Sequence, residues 1–419
     1  MRARGRAGAR RPLIVLKYGG SSVATPELIL RVAARVADTR SSGSDLVVVV
    51  SAMGDATDGL LALAGAVARL PDRRELDALV STGEQVSVAL LAMALQDRGV
   101  DAISLSGAAL GIVTDGVFSR ARISRVHVDN IRAALARGQV VIAAGFQGTG
   151  PDGQVTTLGR GGSDATAVVL AAALEADACE IHTDVAGVYT ADPRVVAGAR
   201  LLPRVSYDEM SEMSSLGAKV LQLRSVELAR RHRVRLIVKS SLVSGPGTVI
   251  EEACAMGETM EGALVRAVTH TKGEVKVVLE ALPDVPGVAA RVFTALAQQN
   301  IQVDMIIQGR GREGRNDIAF TVAQDDSAAA LAACRQVGAE VGARRVAAEE
   351  AAKVSVVGAG INQDARVAAA MFECLAELGI NIEMISTSGI RVSCLIRPDR
   401  ADEAVRALHA RFIGPAEAS

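Results

Sequence analysis

The sequence predicts an α/β protein in which a mostly parallel sheet is sandwiched by helices and followed by two smaller modules. Three observations support this prediction. Short apolar runs alternate with helix-patterned segments between residues 13 and 239. A Gly-Pro-Gly cluster at 245–247 ends that alternation. Beyond the cluster, the chain repeats itself at a constant spacing.

The alternating elements can be placed from their local signals. The apolar run 13–16 predicts the first strand, which ends at Lys17-Tyr-Gly-Gly. Thr25-Pro26-Glu27 predicts a helix start, because Thr is a good N-cap and Pro suits the first helical position. The β-branched run 46–50 predicts a strand that is buried on both faces. We also predict helices near 58–70, 75–98 and 163–175, and strands at 102–105, 140–144, 178–182 and 235–239.

An internal repeat occupies the last part of the chain. Val275-Lys-Val-Val matches Val354-Ser-Val-Val, and Asp304-Met-Ile matches Glu383-Met-Ile, both at an offset of 79 residues. Each copy has the pattern strand, loop, helix, strand, loop, strand. Two copies are too few for a solenoid, so two α/β modules packed on each other are expected. The predicted organisation is a basic tail at 1–11, a first domain at 12–247, a connector at 248–264 and modules at 265–345 and 346–419.

The composition excludes several classes of protein. The 46 basic and 47 acidic residues nearly cancel and aromatic residues make up 2%, so a nucleic-acid partner is not expected. Five scattered cysteines without a C-x-x-C pair indicate reduced thiols rather than disulfides or a zinc site. No apolar run reaches 18 residues, which predicts no membrane span. Arg10-Arg11 weakly resembles an export signal, but the apolar stretch stops at Lys17, so a cytoplasmic location is expected.

Lys17-Tyr-Gly-Gly-Ser21 follows the first strand and precedes a helix. Ligands of open α/β sheets bind at this edge, and glycines let the backbone approach phosphate oxygens. Lys17 would place a compact positive charge beside a phosphoryl group in transfer. A tight turn with a solvated lysine is the alternative explanation.

Thr156-Thr-Leu-Gly-Arg-Gly-Gly-Ser-Asp164 is a more informative motif. Arg160 offers a planar fork that suits a carboxylate. Ser163 and Asp164 follow it, and Asp164 as an N-cap would explain those two residues structurally. A cap does not explain Gly-Arg-Gly-Gly, which has the appearance of a buried loop, so we favour a functional role.

Further candidates lie elsewhere between residues 57 and 219. Glu84 could receive an ammonium group or take part in helix capping, and Thr57 could bond a carboxylate or be structural. Lys219 is a second cation, although such a lysine is more often solvated. The five histidines show no metal-binding spacing and are interpreted as structural. Five further residues could form a polar and aromatic wall that suits a nucleotide base and ribose, or they could belong to a surface turn. These residues are Thr183, Asp184, Tyr189, Asp192 and Arg194.

Two familiar phosphotransferase patterns are absent from the sequence. There is no G-x-x-x-x-G-K-[ST] motif of P-loop enzymes, and there is no H-R-D with D-F-G of protein kinases. A phosphoryl-transfer site built on Lys-Gly-Gly and Gly-Arg-Gly-Gly-Ser-Asp therefore belongs to another family.

Taken together, the motifs resemble those of the aspartate kinases in the amino-acid kinase family. The resemblance extends from about residue 12 to the end, and its most specific parts are Lys17-Tyr-Gly-Gly-Ser-Ser, Thr157-Leu-Gly-Arg-Gly-Gly-Ser-Asp and Val188-Tyr-Thr-Ala-Asp-Pro-Arg194. It implies the amino-acid kinase fold, two ferredoxin-like ACT modules and ATP-dependent phosphorylation of the side-chain carboxylate of L-aspartate. Mg²⁺ is implied as the companion of ATP, and no protein metal site is assigned.

The resemblance also implies roles for individual residues. Lys17 would stabilise charge on the phosphoryl group in transfer, and Asp164 would orient the cations. The implied catalytic residues are Lys17, Asp164 and Lys219. The implied aspartate-binding residues are Thr57, Glu84, Arg160 and Ser163. The implied nucleotide-binding residues are Gly19, Gly20, Ser21, Thr183, Asp184, Tyr189, Asp192 and Arg194.

In the repeat, the resemblance implies binding of amino-acid effectors such as lysine and threonine by Asp304, Gln308, Asn381 and Glu383. It further implies a homo-oligomer or an assembly with a short ACT-only subunit, for which Met256 or Met260 could be the internal start. The family's Ser-Thr-Ser-Glu-Ile is Ser386-Thr-Ser-Gly389-Ile here, so weakened feedback is expected. The family's Tyr before Thr-Asp-Val is His182, and the residue before Gly187 is Ala186, which would alter nucleotide affinity modestly.

Two other functions remain open at this point. The chain could be a kinase for another amino acid, such as glutamate or acetylglutamate, but those enzymes generally lack the paired ACT half. It could also be a catalytically silent amino-acid sensor. The presence of Lys17, Glu84, Arg160, Ser163 and Asp164 argues against that reading.

Overall fold

The computed structural model describes residues 11–217, 220–252, 265–310 and 314–414. The chain forms two compact units. The first contains residues 11–188, 201–214 and 220–252 of the described chain. The second contains residues 189–200, 215–217, 265–310 and 314–414. The chain therefore enters the second unit briefly at 189–200 before it returns to the first.

The first unit alternates strands and helices along most of its length. Its elements are β1 (Leu13–Tyr18), α1 (Pro26–Ser41), β2 (Asp45–Val50), α2 (Ala56–Val67), α3 (Arg73–Val80), α4 (Thr82–Gln96), β3 (Ala102–Leu105), α5 (Gly107–Leu110), β4 (Ile112–Thr114), β5 (Ile123–Val126), α6 (Asp129–Ala136), β6 (Val140–Ala144), β7 (Gln147–Thr149), β8 (Val155–Thr157), α7 (Gly162–Leu174), β9 (Ala178–Thr183), β10 (Arg204–Ser206), α8 (Tyr207–Ser215), α9 (Leu223–His232), β11 (Leu236–Ser240) and β12 (Thr248–Glu251).

Eight of these strands form one sheet in the order β10-β12-β11-β9-β1-β2-β6-β3. All neighbours are parallel except β11 and β12, which confirms the predicted mostly parallel sheet. The central strand β2 is almost entirely buried, as its β-branched run predicts. Thr25 is the N-cap of α1 and accepts a hydrogen bond from the backbone of Leu28, with Pro26 at the first helical position.

Several local predictions for the first unit need correction. The helix expected at 75–98 is two helices, α3 and α4, that meet at Ser81. Thr248–Glu251, which we placed in the connector, form strand β12 of the main sheet. A second sheet, in the order β5-β4-β7-β8, was not predicted, because its strands have only three or four residues and show no clear alternation.

One stretch of the first unit has the length and apolar composition of a membrane-crossing helix. This stretch is Arg73–Gln96, and half of its most apolar window is buried inside the fold. The buried helices of globular cores satisfy the same criterion, so it is weak support for a membrane span.

The second unit is built on one six-stranded antiparallel sheet. Its elements are β13 (Ala267–Pro283), α10 (Val288–Gln298), β14 (Ile306–Arg310), β15 (Arg315–Ala323), α11 (Ser327–Val341), β16 (Arg345–Val357), α12 (Ala365–Glu377), β17 (Met384–Ser388), β18 (Arg391–Ile396) and α13 (Ala401–Phe412). The sheet order is β14-β15-β13-β16-β18-β17. Each copy of the repeat ends in a helix, α11 or α13, that the sequence pattern did not predict.

The two modules, which we expected to pack on each other, share one continuous sheet. The long strands β13 and β16 pair from Ala267 with Val357 to Glu280 with Arg345, and each crosses from one module into the other. Val268 at the start of β13 therefore lies in the hydrophobic core of the second module, whereas Val277 lies in that of the first. Neither core is complete without a strand from the other copy.

Candidate active site

Four neighbouring parallel strands, β9, β1, β2 and β6, end at the same edge of the main sheet. The backbone turns that follow β1 and β2 contact each other closely. The backbone N–H of Gly54 donates to the carbonyl of Gly20 at 3.0 Å. A Cβ at Gly20 would lie 2.8 Å from the carbonyl oxygen of Ala52, so this close approach excludes any side chain. Open α/β sheets bind their ligands at the carboxyl ends of the strands, and the turn 20–23 follows β1 at that edge.

Lys17 and Asp164 form an ion pair at this edge, with 2.6 Å between Nζ and Oδ1. Their side chains are 12% and 10% exposed. The contact has the distance of an ion pair but not the angles of a hydrogen bond. Two charges held so far from water are costly for stability, which favours a functional reason for their presence. The structure thus unites two of the predicted catalytic residues, and the third, Lys219, lies outside the described residues.

The loop before α7 depends on glycine. Gly159 and Gly161 adopt φ values of 74° and 70°, in the left-handed region. A Cβ at Gly161 would also lie 2.3 Å from Cγ of Gln222. Gly161 is the N-cap of α7, so the expectation that Ser163 and Asp164 cap this helix is wrong. Both lie in its first turn, which leaves the Asp164 carboxylate to pair with Lys17.

Arg160 is exposed, so the predicted buried character of Gly-Arg-Gly-Gly is wrong for the arginine itself. Arg160 makes no ion pair or side-chain hydrogen bond within the described chain, so its guanidinium is accessible to a ligand. Ser163 is buried beside Gly145, whose Cβ, if it had one, would lie 2.6 Å from the serine Oγ. The end of β6 therefore approaches the start of α7 closely.

Glu84 lies in the first turn of α4 and is 2% exposed. Its Oε1 accepts a hydrogen bond from the backbone of Ala52 at 3.0 Å, directly after β2. Its Oε2 is buried and has no hydrogen-bond partner among the described residues. Burial raises the pKa of Glu84 to about 7, and the Ala52 hydrogen bond offsets part of the rise. An unsatisfied buried carboxylate oxygen is suited to receive a cation.

The remaining predicted residues of the first unit have simpler environments. Thr57 is half-buried in the first turn of α2 rather than at the end of a strand. Thr183 ends β9 and donates its hydroxyl hydrogen to Asp184 at 3.0 Å. Ser21 is exposed, whereas its neighbour Ser22, which we did not single out, is buried with an unpartnered Oγ within the described chain. The sequence signal that could have identified Ser22 is the Ser21-Ser22 pair at the end of the glycine motif.

Three predicted nucleotide residues, Tyr189, Asp192 and Arg194, belong to the second unit. Arg194 pairs with Asp192 at 2.7 Å, and its hydrogen bonds hold the pKa of that carboxyl below its usual range. Because these residues and Lys17 lie in different units, their shared role remains a prediction.

The predicted effector residues lie in the second unit. Asp304 is ion-paired with the buried Lys353 of β16, which also contacts Glu274 at 3.0 Å. Glu383 is paired with Lys276 of β13. Each acid is thus paired with a lysine from a strand of the other module. Gln308 and Asn381 are exposed.

Asp77 is a supporting residue that the sequence did not reveal. This carboxylate on α3 is 1% exposed and accepts hydrogen bonds from the backbone and hydroxyl groups of Thr157 and Ser119, at 2.7 to 3.2 Å. It therefore fixes the end of β8, which leads into the Gly-Arg-Gly-Gly loop. An acidic residue in a helix is ordinarily a surface residue, so the sequence contains no signal for it.

Comparison with known proteins agrees with this geometry. Residues 12–240 match the amino acid kinase family, and residues 275–337 and 354–412 match the ACT domain. The chain belongs to the amino acid kinase family. It is 48% identical to the aspartokinase of Mycolicibacterium smegmatis over 96% of both chains.

Among solved structures, the chain is likewise similar to aspartokinases. The chain is similar to Escherichia coli aspartokinase III in complex with aspartate and ADP, with a TM-score of 0.77 and 28% identity over 96% of this chain and 100% of that one. It is also similar to the same enzyme in complex with lysine and aspartate, with a TM-score of 0.73, 28% identity and coverage of 96% and 99%.

We expect Asp77→Ala to destabilise the protein by about 3 kcal/mol, because the buried partners of the carboxylate lose their acceptor. Thermal unfolding would measure this change. Asp101→Ala is the matched control, since the side chain of Asp101 accepts one exposed hydrogen bond, from Gln139, and its loss should cost at most about 0.5 kcal/mol. Equal unfolding temperatures for the two variants would contradict the role of Asp77.

Proposed function

We propose that this chain transfers the γ-phosphoryl group of ATP to the side-chain carboxylate of L-aspartate, giving 4-phospho-L-aspartate and ADP. The observation that carries the proposal is the nearly buried Lys17–Asp164 pair beside the glycine turn after β1. The 48% identity to an aspartokinase over nearly the whole chain supports aspartate as the acceptor.

The proposed reaction requires positioning and charge stabilisation rather than a protein nucleophile. A carboxylate oxygen of aspartate forms the new bond to the γ-phosphorus, and the bond to the bridging oxygen of ADP breaks. The acceptor is already anionic, so no general base is needed. Its repulsion from the triphosphate must be offset, and Lys17, oriented by Asp164, supplies a fixed positive charge for this purpose.

Aspartate recognition is assigned to four residues of the first unit. The unpartnered Oε2 of Glu84 would receive the α-ammonium group, and the exposed Arg160 would bind the α-carboxylate as a planar fork. Thr57 and Ser163 would complete the pocket. An ionised Glu84 beside an ammonium group would no longer be unsatisfied, which explains why a carboxylate is retained at a buried position.

In the first unit, the nucleotide is assigned to Gly19, Gly20, Ser21, Thr183 and Asp184. The proposed nucleotide residues of the second unit are Tyr189, Asp192 and Arg194. Among the described residues, no group of three or more His, Cys, Asp or Glu side chains could hold a metal ion. Mg²⁺ is proposed to enter with ATP, because it keeps several water ligands and binds mainly through nucleotide phosphates. When bound, it would neutralise charge on the triphosphate.

The second unit is proposed to sense amino acids through Asp304, Gln308, Asn381 and Glu383. Lysine is favoured as an effector because E. coli aspartokinase III was solved in complex with lysine and aspartate. Threonine, a homo-oligomer and an ACT-only subunit that starts at Met256 or Met260 remain proposals, and both methionines lie outside the described residues. A cytoplasmic location, as expected for a biosynthetic enzyme with reduced thiols, completes the proposal.

A coupled assay of ADP release tests the acceptor. We expect release with ATP, Mg²⁺ and L-aspartate, and background rates with L-glutamate or with no acceptor. Arg160→Lys should raise KM for L-aspartate by about tenfold and leave KM for ATP unchanged, because a lysine cannot form the bidentate contact. Release with glutamate alone would indicate a different amino-acid kinase, and no release with either acceptor would indicate a silent sensor.

The pH dependence follows from Glu84. Since its pKa is raised to about 7 and the ionised form binds the ammonium group, kcat/KM for L-aspartate should fall as pH decreases through about 7. Glu84→Gln should lower kcat/KM at least about tenfold and remove this inflection. Glu75→Gln, at an exposed position of α3, is the control and should keep the wild-type profile. A wild-type profile without an inflection between pH 6 and 8 would contradict the assignment.

Feedback is expected to be weak. Gly389 leaves the turn between β17 and β18 without the carboxylate that the family pattern has there. We therefore expect lysine and threonine together to inhibit ADP release less than in enzymes with the family pattern. Gly389→Glu should strengthen the inhibition, as read from the effector concentration that gives half-maximal inhibition. Strong concerted inhibition of the unaltered chain would refute this expectation.

A further inference from the structure

The loop that carries Arg160 is held on both sides by the beginning of α9, within the first unit. On one side, the guanidinium of Arg224 donates to the carbonyl of Leu158, with 2.6 Å between Nη1 and the oxygen. On the other side, Gly161 packs against Gln222, the N-cap of α9, and a Cβ at this glycine would lie 2.3 Å from Cγ of the glutamine. The backbone is therefore fixed both before and after Arg160, although the Arg160 side chain is exposed.

Arg224 also joins this loop to the segment between β4 and β5. Its Nη2 donates to the carbonyl of Ala121 at 3.0 Å, and the backbone N–H of Ala121 donates to the carbonyl of Thr157 at 2.9 Å. Leu158 and Ala121 are 2% and 0% exposed, so water has little access to either residue. A planar guanidinium can donate to two carbonyls in fixed directions at once, whereas a lysine ammonium acts as a point charge.

Arg224 has no part in the chemistry proposed above. It is half-buried, and among the residues that the structure describes it forms no ion pair. Burial lowers its pKa, and the charge of Arg122 lowers it further, whereas that of Asp115 opposes the shift. An arginine nevertheless stays charged at pH 7. The partners of this half-buried charge are thus backbone carbonyls, and one of them lies two residues before Arg160.

We propose that Arg224 is a positioning residue for aspartate binding. Its two hydrogen bonds keep the loop 158–161 in the conformation that presents the guanidinium of Arg160 to the α-carboxylate of L-aspartate. The guanidinium of Arg224 is occupied by the two carbonyls and is not assigned a contact with the substrate. This inference rests on the proposed function, because it takes Arg160 as the residue that binds this carboxylate. A loop that is ordered before aspartate binds lowers the entropy cost of binding, so the effect belongs in KM for L-aspartate.

Steady-state kinetics of the full-length enzyme test the inference. Arg224→Met keeps an apolar side chain at this position and removes both donors. It should raise KM for L-aspartate about three- to tenfold, since the loop must then become ordered on binding. KM for ATP and kcat should change less than about twofold. Arg224→Lys keeps the charge but not the fork, so its KM for L-aspartate should lie between those of Arg224→Met and the unaltered enzyme.

Arg35→Met is the matched control, because Arg35 is also half-buried and its guanidinium also donates to two backbone carbonyls. These carbonyls belong to Ser240 and Val243, at 2.9 and 3.2 Å, and they lie at and after the end of β11 rather than in the loop before α7. Arg35→Met should leave KM for L-aspartate unchanged, even where it lowers the unfolding temperature.

Hydrogen exchange measures the order of the loop without reference to catalysis. Peptides that cover residues 157–162 should exchange faster in Arg224→Met than in the unaltered protein, and they should not do so in Arg35→Met. A double variant then connects the loop to Arg160. In the Arg160→Lys background, Arg224→Met should add little to KM for L-aspartate, because both changes weaken the same contact.

The inference is overturned by an unchanged KM for L-aspartate in Arg224→Met, by an equal rise in Arg35→Met, or by unchanged exchange of residues 157–162. Additive effects of Arg160→Lys and Arg224→Met on KM would equally contradict it. Failure of the proposed function is distinguishable, because it would appear as absence of aspartate-dependent ADP release from the unaltered enzyme.

Discussion

The ion pair between Lys17 and Asp164 connects the first strand of the main sheet to the first turn of α7. Both charges are largely removed from water, and each would be costly without the other. Gly161 caps α7 in a left-handed conformation, and Asp164 in the first turn of this helix pairs with the lysine. At the same sheet edge, Gly20 lies so close to the backbone of Ala52 that a side chain could not be accommodated. The glycine motifs and the charged residues are therefore parts of one arrangement.

The second unit shows a different constraint. Because β13 and β16 each run through both modules, the two copies of the repeat share one sheet and complete one another's cores. The lysines of these strands pair with acids of the opposite copy, Lys353 with Asp304 and Lys276 with Glu383. A ligand that competes for one of these acids would act on a strand that belongs to both modules.

The chain is not divided between the two units at a single point. The segment 189–200 leaves the first unit, joins the core around α13 and returns. Its aromatic and acidic residues predict nucleotide binding in the sequence, but its buried alanine and valine belong to the second module. The same twelve residues thus combine side chains that are predicted to bind the nucleotide with side chains that pack in the core of the second module.

The sequence alone determined the parallel sheet, the repeat and the principal charged residues. Strong local signals carry these features: β-branched runs such as 46–50, the cap at Thr25, and motifs in which glycine is sterically required. The tertiary structure alone decided features that depend on distant partners. These include the break at Ser81, the short strands of the second sheet, the burial of Asp77 and the pairing of β13 with β16. The physical reason is that hydrophobic periodicity reports which face of an element is buried, whereas the partner that buries it, or that pairs with a charge, lies far away in the chain.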